Sequence, residues 1–280
     1  MTVDPLRRAL LAALAGACVV PASAGRSVPA NRRFAIFNGM FYRDQPDLAP
    51  YGFQPIHIVD RGIWPEGVGR QGEPDATLVR GYLERLPDDG APIVLDFEDY
   101  QLNGSDRDAA FGVARLGRIL RVFRQAAPNR AYGFYEVLPT RDYWRAIAGS
   151  GAAAYRAWQR ENDRVAALEG GIDLLFPSLY SLYPDAEGWE RYAIAQIREA
   201  RRLSNKPVYA FLWPEYHPGS GESGGRFIDG GDWRRQLDTA RRYADGIVIW
   251  GGWDLRANRA RPWDDSAGWW RETVRFLGGR

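Results

Sequence analysis

The stretch IVLDFEDYQ, residues 93–101, drives three aliphatic residues straight into Asp96, Phe97, Glu98, Asp99 and Tyr100. A short apolar, β-branched run reads as a buried strand. In extended backbone successive side chains alternate between faces, which puts Asp96 and Glu98 on one face and Phe97 and Asp99 on the other. What such an end is for depends on what the rest of the chain brings to it.

Similar runs recur at 33–39, 55–60, 131–138, 172–180, 207–213 and 245–253, so with 92–98 the sequence predicts seven strands. Between them lie segments with helical periodicity at 75–86, 106–126, 152–168, 186–203, 231–243 and 266–277. In 106–126, Ala110, Val113, Leu116, Leu120 and Phe123 form one apolar stripe. Pro128, Pro207 and Gly170-Gly171 stand at the joints, where breakers belong. Strands alternating with helices predict a parallel sheet covered by helices, an α/β fold. An open doubly wound sheet is the competitor, but no Gly-rich phosphate loop follows the first strand. Five of the seven predicted strands end in polar or aromatic residues, as in a TIM-like (β/α)7-8 barrel that builds its site at the carboxyl rim. An eighth strand would have to lie in 61–75.

With 280 residues, 45% of them hydrophobic, residues 33–280 suffice for one barrel domain. Residues 1–24 read as a secretory signal: Arg7 and Arg8, an apolar run over 9–20, then Ala22-Ser23-Ala24 as the cleavage site. Residues 25–32 read as a linker. The protein is therefore expected to be secreted or periplasmic, with no stable membrane insertion once the signal is removed. Lipid anchoring through Cys18, the only cysteine, is the alternative. Loss of the signal leaves no disulfide and no thiolate. The formal net charge of +2 falls to about +1 once Arg7, Arg8 and Asp4 leave, which offers no field for nucleic acid.

Paired carboxylates at a strand end repel when both are ionised, so one pKa should rise and that carboxyl can serve as a general acid. A bare D-x-E also occurs in Arg-paired surface loops. The neighbours add weight: Tyr135, Tyr180, Trp213, Trp250 and Trp253 fall at the same end of successive strands. Taken singly, each is more often core than ligand platform. Together they suit a saccharide, whose apolar ring faces stack on aromatics. His57 and His217 are the only histidines and fit no metal-ligand spacing, so no metal or cofactor is expected. His217 falls in a Gly/Ser-rich loop, 217–231, placed over the rim.

Taken in order, AIFNGMF, IVLDFEDY, YGFYEVLP, RENDR, LFPSLY, KPVYAFLW and DGIVIWGGWD resemble the hyaluronidases of glycoside hydrolase family 56 over roughly residues 33–254. That resemblance implies a distorted barrel with Glu98 as general acid/base, Asp96 as its partner and Tyr180 beside them. It also implies substrate contacts from Tyr135 and Trp250, to which Trp213, Trp253 and Asn38 are added as candidates. The implied activity is internal cleavage of a β-linked N-acetylhexosamine polysaccharide such as hyaluronan or chondroitin, by a substrate-assisted retaining mechanism. The family's disulfides and its tyrosine between the second and third strands have no counterpart. An unrelated envelope polysaccharide as substrate, a non-catalytic saccharide-binding barrel and a His57-dependent metal hydrolase are the alternatives. Oligomeric state is left open.

Overall fold

The computed structural model describes residues 33–70, 72–254 and 257–279. The expected signal, the linker and Cys18 lie outside the described residues. In chain order the described elements are β1 (Ala35–Met40), β2 (Phe53–Pro55), β3 (His57–Val59), α1 (Ala76–Glu84), β4 (Ile93–Leu95), α2 (Asp106–Ala126), β5 (Tyr132–Phe134), α3 (Tyr143–Ile147) and α4 (Ala153–Val165). Then follow α5 (Ala186–Leu203), β6 (Tyr209–Leu212), α6 (Gly230–Tyr243), β7 (Gly246–Gly251), β8 (Trp253–Asp254), β9 (Arg259–Ala260) and α7 (Gly268–Gly278).

The α/β class with parallel strands is as the sequence predicts. The ladders form a four-stranded sheet, β2-β1-β7-β6, and a three-stranded one, β3-β4-β5. The predicted second strand is split at Ile56. Its first half pairs with β1, register Ile36↔Phe53, and its second half with β4, register Ile58↔Val94. The predicted fifth strand is an extended segment tied by single bridges, Tyr135↔Phe176 to one side and Leu175↔Val208 and Ser178↔Phe211 to the other. Pro177 explains the broken ladder. It has no N–H to donate, although its carbonyl accepts from the Phe211 N–H at 2.9 Å. The ladders therefore do not close into one continuous sheet, and the barrel is distorted. Among the described residues of 61–75 there are turns and no eighth strand.

Two shells of core follow from strand alternation. Phe37, Val94, Tyr135, Phe176, Phe211 and Val248 fill the space enclosed by the strands. Ile36, Leu95, Leu212 and Ile249 face outward against helix residues such as Leu116, Phe123, Tyr192 and Trp233. Burying an aliphatic side chain of this size stabilises by about 1.5–3 kcal/mol, so this outer layer fixes each helix on the barrel. In α2 the buried stripe is rotated from the expected one: Ala109 is buried and Ala110 exposed, with Leu116, Leu120 and Phe123 as predicted.

Most helix starts other than those of α4 and α7 are set by side-chain caps, each worth about 1 kcal/mol. Ser105 and Asp108 form a reciprocal capping box at α2. Asp75, Asp185 and Asp229 cap α1, α5 and α6. The short helix α3 was not legible as a periodic segment, because five residues hold little more than one turn.

Candidate active site

The strand β4 stops at Leu95, so Asp96 and Phe97 are irregular and Glu98 and Asp99 form a turn. The expected strand 92–98 is shortened, and the two acids differ in exposure: Asp96 is largely buried and Glu98 is exposed. The Asp96 N–H donates to the Val59 carbonyl at 2.9 Å, which holds its backbone against β3. Its Oδ1 is buried with no hydrogen-bond partner in the protein. Burial first, and then the charge of Glu98, push the Asp96 carboxyl up to about 8, with Asp60 and Glu136 adding to the shift and Arg70 opposing it. Asp96 therefore holds its proton at neutral pH.

Phe97 points the other way and packs edge-on against Trp64, ring centroids 5.3 Å apart. Asp99 is ion-paired with Arg70, whose carbonyl accepts from the Tyr100 hydroxyl at 2.7 Å. The segment before α1 is therefore tied to the acid-bearing turn by Arg70.

Next along the ring stand Tyr135 and Glu136, just past β5. The Tyr135 hydroxyl donates to Ser178 Oγ at 2.9 Å. The Tyr180 ring lies 5.9 Å from that of Tyr135, and its hydroxyl is held protonated by burial and then by the nearby Asp96. Tyr180 in turn contacts Trp213 (5.3 Å) and Trp250 (5.9 Å), which meet edge to face at 4.6 Å. The structure thus brings Asp96, Tyr180, Tyr135, Trp213 and Trp250 into one contiguous cluster. Glu98 and Tyr135 line a cleft of about 360 Å³ with Gln101, Glu136 and Arg141.

Two expected members go elsewhere. Asn38 shares the outward face of β1 with Ile36 and Met40, and its Oδ1 accepts from the Met40 N–H at 3.1 Å. It lines a separate opening with Ile56, His57 and Leu86. Trp253 is carried past the rim by Gly251 and Gly252, whose φ values of 148° and 81° suit glycine alone. It faces a recess on the far side of Trp213.

His57 begins β3 and pairs with Asp89 at 3.1 Å, at the amino end of the strands and away from Asp96. Among the described residues no group of three or more His, Cys, Asp or Glu side chains could hold a metal ion. The 217–231 loop is folded down by paired hydrogen bonds, Tyr216 N–H to the Arg226 carbonyl and Gly225 N–H to the Tyr216 carbonyl, each 2.9 Å. The His217 ring stands over Trp213 at 6.0 Å, and burial with the Arg141 charge lowers its pKa.

Glu136 and Arg141 were not singled out by the sequence. Glu136 has a left-handed backbone, φ 59°, unusual for a residue with a side chain. Its Oε1 pairs with the Arg141 Nε at 3.0 Å, and its Oε2 is buried with no hydrogen-bond partner. Burial raises its carboxyl to about 7 against the Arg141 charge, with Glu98 adding to the rise. The loop that carries both is anchored from outside. Buried Asn162, in the RENDR stretch, accepts from the Thr140 N–H and hydroxyl at 3.0 and 2.8 Å and donates to Glu199 at 3.1 Å. Glu161 in the same stretch holds Arg145 with two bonds of 2.7 and 2.6 Å. The signal that could have found Glu136 was its place one residue after Tyr135 at a strand end.

An α/β barrel with acids and aromatics at the carboxyl ends of its strands has the fold of the barrel glycoside hydrolases. Among solved structures the chain is similar to bee venom hyaluronidase, at 17% identity and a TM-score of 0.62, covering 88% of this chain and 96% of that one. A structure of bee venom hyaluronidase in complex with a hyaluronic acid tetramer matches at the same identity and TM-score, covering 78% and 90%. An endo-β-1,4-mannanase double mutant from Cellulomonas fimi matches at 13% identity and a TM-score of 0.50, covering 82% of this chain and 55% of that one. A scan against protein-family models finds no match, and a search of curated proteins finds none either. Among the described residues no helix is long and apolar enough to cross a membrane.

Proposed function

We propose that this protein is a glycoside hydrolase that cleaves a β-linked N-acetylhexosamine polysaccharide internally, with hyaluronan and chondroitin as the first substrates to test. What supports it most is the arrangement of two carboxyls at the foot of an aromatic cluster, Asp96 buried and raised to about 8, Glu98 exposed and open to a cleft. Buried acid beside exposed acid divides the labour of general catalysis.

In this reading the acetamido carbonyl oxygen of the substrate attacks its own anomeric carbon as the glycosidic C–O bond breaks. The proton held by Asp96 passes to Glu98 as substrate binds, and Glu98 gives it to the leaving oxygen. Asp96, adjacent to the Tyr180 hydroxyl, takes the negative charge that steadies the resulting oxazolinium. Water then attacks the anomeric carbon from the vacated side, Glu98 takes the proton of that water, and the ring reopens with retained configuration. No carboxylate nucleophile is needed, a known exception to the two-carboxylate scheme. Tyr135 and Trp250 supply hydroxyl and ring face to the sugar, and Trp213 supports Trp250 from behind. Membership of the hyaluronidase family, secretion and removal of residues 1–24 belong to the same proposal.

The test is release of new reducing ends from hyaluronan and chondroitin. Glu98→Gln should reduce it by about a hundredfold to ten-thousandfold, the size of general acid–base help of this kind. Turnover that survives Glu98→Gln removes Glu98 from its role, and binding without turnover across N-acetylated glycans favours a non-catalytic saccharide-binding barrel.

A further inference from the structure

Behind Trp213 lies a second polar recess that the acid pair does not use. Glu215 is 1% exposed, and neither of its oxygens has a hydrogen-bond partner in the protein. Arg261 Nη2 is ion-paired with Oε2 at 3.3 Å without the alignment of a hydrogen bond, and it also donates to the Gly225 carbonyl at 3.5 Å. The Tyr42 hydroxyl is also buried without a partner and is close enough to feel the charges of Glu215 and Arg261, and the Trp213 indole N–H is turned to Glu215 without forming a well-aligned bond. A buried polar group left unpaired costs about 1–3 kcal/mol, so a concentration of them on one wall calls for an occupant that pairs them.

Two adjoining hollows open here. One, of about 260 Å³, is lined by Trp213, Glu215, Trp253 and Arg261. The other, of about 520 Å³, is lined by Tyr42, Arg261 and Trp269 among others. Arg261 and Asp254 belong to both. Trp213 is the shared wall: its ring packs on Tyr180 and Trp250, and it also lines the recess beside Glu215. Donors, acceptors and aromatic faces set close together are what a hexopyranose ring requires, since its hydroxyls need both kinds of partner and its C–H faces need an apolar plate.

We propose that this recess is a second saccharide site that holds a hexopyranose unit of the same chain at a distance from the bond being cut, with Tyr42, Glu215 and Arg261 as its polar contacts and Trp253 as its plate. It rests on the glycosidase reading of the main cleft and extends it, making the preferred substrate a chain long enough to pass Trp213.

The experiment is calorimetric titration of the full chain carrying Glu98→Gln with a hyaluronan hexasaccharide, repeated after adding Tyr42→Phe or Glu215→Gln. Both changes keep the shape of the side chain, and thermal melting verifies folding. If one variant fails to fold, the other and Arg261→Gln carry the test. The expected result is binding that weakens about tenfold in each folded variant. Equal affinity in folded variants, or no binding of the hexasaccharide, overturns the proposal. Because the readout is binding, it stands apart from turnover: loss of the glycosidase reading shows as absent reducing ends in the unsubstituted protein, whatever the titration gives.

Discussion

The Arg141 guanidinium lies 3.0 Å from the Glu136 carboxylate, and that ion pair sets a third acid against Glu98 in the same cleft. Burial, acting against that ion pair, leaves the Glu136 carboxyl at about 7, and its charge raises Asp96.

Glu136→Gln removes that charge while keeping the shape. With one repelling carboxylate gone, Asp96 loses its proton more easily, and the alkaline limb of the pH–activity profile should move to lower pH. A profile recorded with and without the substitution checks this; an unmoved limb means Glu136 does not act on the pair.

The same residue allows a backbone test. Glu136→Ala and Glu136→Gly lose the same ion pair, but glycine holds φ 59° without strain and alanine does not. Glu136→Ala should be less stable than Glu136→Gly by about 1 kcal/mol, or roughly 2–4 °C in melting temperature for a domain of this size. Equal melting temperatures would show the conformation to be unstrained.

Asp96→Asn should raise stability while abolishing activity. The folded carboxyl titrates at about 8, above the unfolded value of about 3.9. Below both values neither state is ionised and nothing is lost. Between them only the unfolded chain ionises, so stability falls with rising pH by up to about 1.4 kcal/mol per unit. Asparagine cannot ionise and escapes that loss. The variant should melt on the order of 10 °C above the unsubstituted protein at pH 7.5 and level with it near pH 4, as read by calorimetry at both values.

Trp250 and Trp213 should separate binding from stability. Trp250 is half-buried at the rim, and Trp250→Ala should raise KM roughly tenfold, about 1.4 kcal/mol, with little change in melting temperature. Trp213 is 3% exposed, and Trp213→Ala should destabilise by about 3–5 kcal/mol. Kinetics and melting of both variants decide; the reverse pattern would make Trp250 the core residue.

Gly133 tests the weak joint of the barrel. A Cβ there would fall 2.4 Å from the Leu174 carbonyl oxygen, where β5 meets the bridged segment. Gly133→Ala should cost about 1–3 kcal/mol or more by overpacking, visible as a lowered denaturation midpoint.

The alternation of β-branched runs with apolar stripes made the barrel class legible, and α2 and α5 fall on the predicted ranges 106–126 and 186–203, because strand and helix periods are local properties of the chain. Acids and aromatics at the strand ends were legible for the same reason. The outward face of Asn38 was not. Strands of a parallel sheet are buried on both sides, so AIFNGM carries no polar phase to say which side meets the enclosed space.

Sequence by itself determined the order of strands and helices and the kinds of side chain at the carboxyl rim, since both depend on neighbours within a few positions. Only the tertiary structure decided that Asp96 is buried and holds its proton at neutral pH, that Glu136 joins the two acids, and that Trp253 parts from Trp250. Those outcomes depend on burial and on charges summed over Arg70, Arg141 and other groups far away in the chain, which meet only when the barrel folds.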